Sequence, residues 1–187
     1  MIKGKEFMRE KIISSAMKVF SKYGYFRAPV QLIAKEAGVS KGLIFWYFRS
    51  KYELIMEIAR RNLPLEIIDS CLEKDLKGRS MLECIGRSYI DKYRDPVQRN
   101  LLLHTLALTT SFPKIAEDIR RLCEEKTKVI AEKVFGEASP KARIAIRAFF
   151  GGLMCYMLRP LEGIDEQTFL ENLIDIVLAN RRAKKQQ

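Results

Sequence analysis

At 187 residues, 48% of them hydrophobic, the chain is long enough to bury a core of its own without staples. Its formal net charge of +11 gathers at the two ends: thirteen Lys or Arg against five Asp or Glu in residues 1–61, near neutrality in 62–180, and four cations in the closing "RRAKKQQ". No apolar run approaches the roughly 20 residues needed to cross a bilayer, and the charged start "MIKGKEFMREK" does not offer a signal peptide's apolar segment, so a cytoplasmic protein without membrane contact is expected.

The elements are helical throughout. In residues 5–23 the apolar positions Met8, Ile12, Ala16, Val19, Phe20 and Tyr23 follow helical spacing, and Gly24 supplies a stop. Pro29 can open a second helix at its first position, with Val30, Ile33, Ala34 and Ala37 on one face before Gly38 turns the chain. Ser40 can cap a third helix beginning at Lys41, and the S-x-x-E of Ser50 to Glu53 reads as the capping box of a fourth. Further helices are expected over about 52–76 with a break near Pro64, then 80–94, 96–111, 113–135, 140–159 and 165–181, giving about nine in all. No strand alternation survives, and the fold class expected is all-α.

Two short helices joined by a tight, Gly-containing turn are the helix-turn-helix arrangement, whose second helix can enter the major groove of DNA. Ala34 is small enough for the pair to approach, and Ile33, Val39 and Ile44 would fill the space between them. A basic first third carried on a near-neutral remainder suits a polyanion-binding module attached to something with another task. The third helix then crowds Leu43, Ile44, Phe45, Trp46, Tyr47 and Phe48 together. Ile44 and Phe48 share a face that would pack inward. For Leu43 and Trp46, contact with DNA and a role as core plugs both stand.

The stretch "MREKIISSAMKVFSKYGYFRAPVQLIAKEAGVSKGLIFWYFRSKYELIMEIARR" resembles the DNA-binding domain of the TetR family of transcriptional regulators over roughly residues 8–61. The F-x-x-x-G-Y that ends helix one, the IA-x-x-AGVSKG across the turn and the YF-x-S-K-x-EL entering helix four stand in the family's order and spacing. The resemblance implies a helix-turn-helix domain at residues 1–54, opening into a connecting helix from about 51. It also implies a helical effector-binding and dimerisation domain at 55–187. The function implied is a ligand-responsive regulator, in the main a repressor, that binds a palindromic double-stranded operator as a homodimer and is released by a small apolar effector. A TetR-like DNA-binding protein without a small effector, serving chromosome organisation or held by a protein partner, is the alternative.

Similarity places Gln31 near the groove, Ser40, Lys41, Gly42, Leu43, Phe45 and Trp46 on or near bases and sugars, and Tyr47 and Lys51 on phosphates. The chain departs from the family's common residues at Ala28 and Pro29, where Thr is usual, and at Leu43, Phe45 and Trp46, where Thr, Tyr and His are frequent. Polar readout is thinned, and apolar contact such as with thymine methyls would replace it.

Farther along, Leu170, Leu173, Ile174, Val177 and Leu178 form a helical stripe, and residues 144–158 are apolar nearly all round with Gly151 and Gly152 at mid-helix. The dimer surface expected from these segments is Gly151, Gly152, Leu170, Leu173, Ile174 and Val177, with packing inside one chain as the competing reading. The apolar helix 96–111 carries the one histidine. His104 and Thr105 would be polar handles in an effector cavity walled by Tyr89, Leu108, Phe149 and Met154, although an ordinary buried helix would read the same way. Cys71, Cys84, Cys123 and Cys155 never form C-x-x-C, which points to four reduced, mostly buried thiols. With one His and no Gly-rich loop, no catalytic residue, metal ligand set or cofactor cradle can be assembled, and an enzyme is not expected.

Overall fold

The computed structural model describes residues 2–179, with side chains from residue 4 onward and Ser111 excepted; the basic tail at 181–187 lies outside the described residues. Among those residues there are ten helices and no strand: α1 (Ile2–Arg27), α2 (Val30–Ala37), α3 (Lys41–Tyr47), α4 (Lys51–Asn62), α5 (Leu65–Leu72), α6 (Gly78–Arg94), α7 (Pro96–Ser111), α8 (Pro113–Phe135), α9 (Pro140–Leu158) and α10 (Glu166–Ala179). The tenth arises because the break expected near Pro64 separates two helices, with Leu63 extended at ψ 155 and Pro64 leading into α5. None of the described helices is long and apolar enough to cross a membrane.

Local chemistry sets most of the boundaries. Pro96 and Pro140 occupy the first turn of α7 and α9, where a missing N–H costs nothing, and Asp95 and Ser139 cap those helices through Val97 N–H at 2.8 Å and Ala142 N–H at 3.3 Å. Pro29 falls one residue earlier than expected, as the N-cap of α2, and contributes no side-chain cap.

The chain divides into two compact units. The first takes in the chain up to Leu63 together with Asp95–Glu117, and the second takes Pro64–Arg94 with the chain from Asp118 onward. In the first, α1 packs on α2, α4 and α7. Ile12, Ala16, Phe20, Ile33, Ile44, Leu54 and Ile58 are its buried apolar centre. Arg61 ties α4 to α1 by a bidentate pair with Glu10 at 2.6 and 2.8 Å and also bonds Glu57 at 2.7 Å. This hydrogen bond from Arg61 holds the Glu10 carboxyl below its ordinary value.

In the second unit α6 packs on α5, α9 and α10. Glycine lets α10 come close to α6 at Gly86, where a Cβ would overlap the Leu170 side chain, and to α9 at Gly152, where a Cβ would lie 2.8 Å from Leu173 Cδ1. The Tyr156 ring stacks on Phe169 at 4.0 Å between centroids, and its hydroxyl donates to the Ile164 carbonyl at 3.1 Å. Cys71 and Cys84 are joined as a disulfide between α5 and α6, which corrects the expectation of four free thiols; Cys123 is half-buried and Cys155 exposed. The sequence pattern could not show this pair, because the two cysteines meet only when the α5–α6 hairpin closes.

Candidate nucleic-acid interface

The α2–α3 pair begins from a turn that only certain residues can make. Gly38 is left-handed at φ 62, ψ 38, a conformation that carries a Cβ penalty for other residues, and its N–H returns to Lys35 O at 3.2 Å while Val39 N–H reaches Ala34 O at 3.0 Å. Ser40 then caps α3 by accepting from Leu43 N–H at 3.1 Å. Ile33, Ala34, Ala37 and Ile44 are buried and fix α3 on its support, with Val39 half-buried beside them. Phe48, past the end of α3, is 1% exposed and lies under the Arg9 guanidinium, 5.3 Å from the ring centroid.

Among the described residues, this seven-residue helix keeps a second face largely open. Lys41, Gly42, Phe45 and Trp46 are exposed there, Trp46 to 62%, Leu43 and Tyr47 are half-buried, and Gln31 is exposed on α2. The Trp46 ring meets Tyr47 edge-on at 4.8 Å, and cations lie over the aromatics: Lys41 Nζ is 5.8 Å from the Phe45 centroid. A Cβ at Gly42 would meet nothing nearer than Ser40 Oγ at 3.8 Å, so packing within the chain does not demand glycine there.

Two residues carry more than the sequence indicated. Lys51 is half-buried, and its ammonium donates to the Phe26 carbonyl at 3.0 Å, which leaves two N–H groups for another acceptor; burial draws its pKa below the ordinary lysine value. Lys5, on the first turns of α1, places Nζ 4.7 Å from the Trp46 ring centroid, so α1 contributes a cation to the exposed face of α3. The excess of Lys and Arg at the N-terminus was the one sequence signal for it. The Ser50 cap accepts from Glu53 N–H at 3.1 Å, and Glu53 reaches back to Arg49 N–H at 2.9 Å, one residue before the usual capping-box partner.

The residues named for effector binding fall in both units. In the first, Thr105 and Leu108 are buried and His104 is half-buried. Thr105 Oγ1 is bonded to the Tyr25 hydroxyl at 2.9 Å, while His104 meets the Tyr25 ring edge-on and lies over Gly24, whose φ of 73 breaks α1 near its end. In the second, Tyr89 and Phe149 are buried, each with its ring close to Phe150, at 6.2 and 5.8 Å between centroids, and Met154 is half-buried on α9. Of the dimer residues, Leu170, Ile174 and Val177 are already buried within the single chain and Leu173 fills the space over Gly152, whereas Gly151 is exposed with open space around it. The apolar surface that α9 leaves open is instead Ile144, Ala148, Gly151, Cys155 and Leu158, spaced alternately four and three apart.

Residues 12–58 match the family model described as bacterial regulatory proteins, tetR family. Over 63 residues the chain is 38% identical to the HTH-type transcriptional regulator SrpR of Pseudomonas putida, covering 33% of this chain and 30% of that protein. Over 120 residues it is 33% identical to the HTH-type transcriptional regulator AcrR of Shigella flexneri, covering 63% of this chain and 46% of that one. The chain thus spans about a third to a half of the length of these curated relatives. A solved transcriptional regulator of the TerR/AcrR family from Aquifex aeolicus aligns over 92% of this chain and 98% of its own, with a TM-score of 0.68 and 26% identity.

Proposed function

Given that this chain belongs to the TetR family of bacterial regulatory proteins, we propose that it is a cytoplasmic repressor that binds a palindromic operator as a homodimer and is released by a small apolar effector. It is a transcriptional regulator, not an enzyme, as the relatives' names agree. The reading head proposed is residues 1–54, continuing through α4 into an effector-binding and dimerisation region.

The observation that carries the DNA reading is the uncovered face of α3, where Lys41, Gly42, Phe45 and Trp46 stand exposed on a helix rigidly held by Ile44. Gly42 leaves the backbone open to a close approach. Trp46, Phe45 and Leu43 would read shape and thymine methyls, while Tyr47 and the spare N–H groups of Lys51 would bond phosphates. The dimer is supported by the open stripe of α9, which begins at Ile144, 68% exposed, and has the spacing of a helix-pairing seam. The effector reading rests on the aromatic cluster of Tyr89, Phe149 and Phe150.

The test is selection of bound duplexes from random DNA by the full chain, followed by affinity measurements across a salt series. A palindromic sequence should emerge. Lys51→Ala should lower the salt slope by about one charge per subunit for operator and random duplex alike. Trp46→Ala should leave the slope unchanged and narrow the operator-to-random gap by roughly 1–3 kcal/mol. Recovery of no preferred sequence would refute the operator reading.

A further inference from the structure

The disulfide between α5 and α6 joins two sulfurs in unlike surroundings. Cys71 is fully buried on the face of α5 that also buries Ile67 and Ile68, whereas Cys84 is half-buried. The Lys74 ammonium, on the exposed turn between the two helices, donates to Cys84 Sγ at 3.7 Å. Two other lysines of this unit face carboxylates instead, Lys126 on Asp69 and Lys133 on Asp75 at 2.8 Å. Cys84 is thus the less buried of the two cysteines and has a cation on its sulfur, the two features thiol–disulfide exchange uses: the easier approach for a reagent, and a charge that favours the thiolate.

We propose that Cys84 and Cys71 form an exchange site for low-molecular-weight disulfides, with Cys84 as the entry sulfur and Cys71 as the resolving one. In the reduced chain the Cys84 thiolate attacks one sulfur of the small disulfide, forms the mixed disulfide and expels one small thiolate. The buried Cys71 thiol then loses its proton to solvent and attacks Cys84 Sγ, which forms the internal bond and expels the second small thiolate. The chain gives up two electrons, and the small disulfide becomes two thiols. Excess small thiol reverses both steps. Oxidation ties α5 to α6 across the turn that carries Lys74 and reduction unties it. This site stands independently of the DNA reading.

The test uses the full chain, reduced and freed of reductant, then exposed to oxidised glutathione and followed by peptide mapping, which separates Cys84 from Cys123 and Cys155. Wild type should form the internal bond and release two thiols for it, beyond one for each glutathione that peptide mapping finds on Cys123 or Cys155. Cys71→Ser should trap glutathione on Cys84, Cys84→Ser should leave Cys71 unmodified on the same timescale, and Lys74→Gln should slow capture by about three- to tenfold. Circular dichroism of each variant confirms the fold, and Lys74→Gln, at an exposed turn, supplies the rate test without altering either sulfur. The proposal fails if the oxidised native chain keeps its bond in excess small thiol until denaturant is added. It also fails if Cys71 is captured as fast as Cys84, or if Lys74→Gln reacts at the wild-type rate.

Discussion

Helices α3 and α9 both leave apolar side chains in water, and they do so for different physical reasons. Helix α3 is seven residues long, packs on α2 through the buried Ile44 and leaves Phe45 and Trp46 exposed, accompanied by Lys41 and Lys5. Helix α9 is nineteen residues long, buries Ala142, Ala145, Ile146, Phe149, Leu153 and Tyr156 on one side, and still carries a stripe of small and aliphatic residues on the other. Aromatic rings under cations suit a polyanion with stacked, methyl-bearing bases, whereas a smooth stripe centred on glycine suits another helix. Exposure alone does not identify a partner; the company that the exposed residues keep does.

The sharpest way to break this contrast is within α3 and its exit. Phe48→Ala should destabilise the folded chain by about 3–5 kcal/mol, as for a fully buried aromatic ring, while Trp46→Ala, two residues away, should change stability by less than about 0.5 kcal/mol. Denaturant unfolding of both variants checks it, and a large loss for Trp46→Ala would make that ring a core plug.

Tyr25 shows what the same unit does with a tyrosine that is not left half-exposed like Tyr47. Burial pushes its hydroxyl up to about 12 from an ordinary 10, while the hydrogen bond with Thr105 pulls the other way. The folded chain therefore holds that proton more tightly than the unfolded chain. Its contribution is complete below pH 10 and is lost as pH rises towards 12, by roughly 1–3 kcal/mol. Tyr25→Phe should flatten this part of the stability profile, and Thr105→Val should cost about 1–3 kcal/mol by leaving the tyrosine hydroxyl buried without its partner.

On α9 the adjacent glycines should separate. Gly152→Ala forces Leu173 to move and should destabilise by about 1 kcal/mol, overpacking exceeding the gain in helix propensity. Gly151→Ala meets open space and should raise the stability of the single chain by up to about 1 kcal/mol. If Gly151 lies in the helix-pairing seam, sedimentation should show the same variant weakening the dimer. A small effect is also expected for Lys5→Ala, which removes a cation from an exposed ring. It should shift Trp46 fluorescence and alter stability by no more than about 0.5–1 kcal/mol.

The features legible in the sequence were those decided within a few residues. The left-handed Gly38, the Ser40 and Ser50 caps and the helix-opening prolines each follow from one turn's chemistry, and together they placed α2, α3 and α4. The stripe of α10 was also legible, but not what it faces: Leu170 and Leu173 turned out to meet Gly86 and Gly152 of their own chain. Contacts made by closure over long separations left no pattern to read. The Cys71–Cys84 bond, the reach of Lys5 to Trp46 and the bond from Thr105 to Tyr25, 80 positions apart, belong to that class.

The hydrogen bond from Lys51 to the Phe26 carbonyl joins residues 25 positions apart and closes a ring of chain that contains α2 and α3 whole. Such a clasp bounds an exchange unit: while it holds, the amides of α2 and α3 should open to deuterium only with the rest of their domain. Lys51→Met keeps the stem of the side chain and removes the donor, so the two short helices should then exchange together, faster than the amides of α1 and α4 that flank them. The same ammonium would thereby set how long α3 stays folded, whether or not it meets a phosphate.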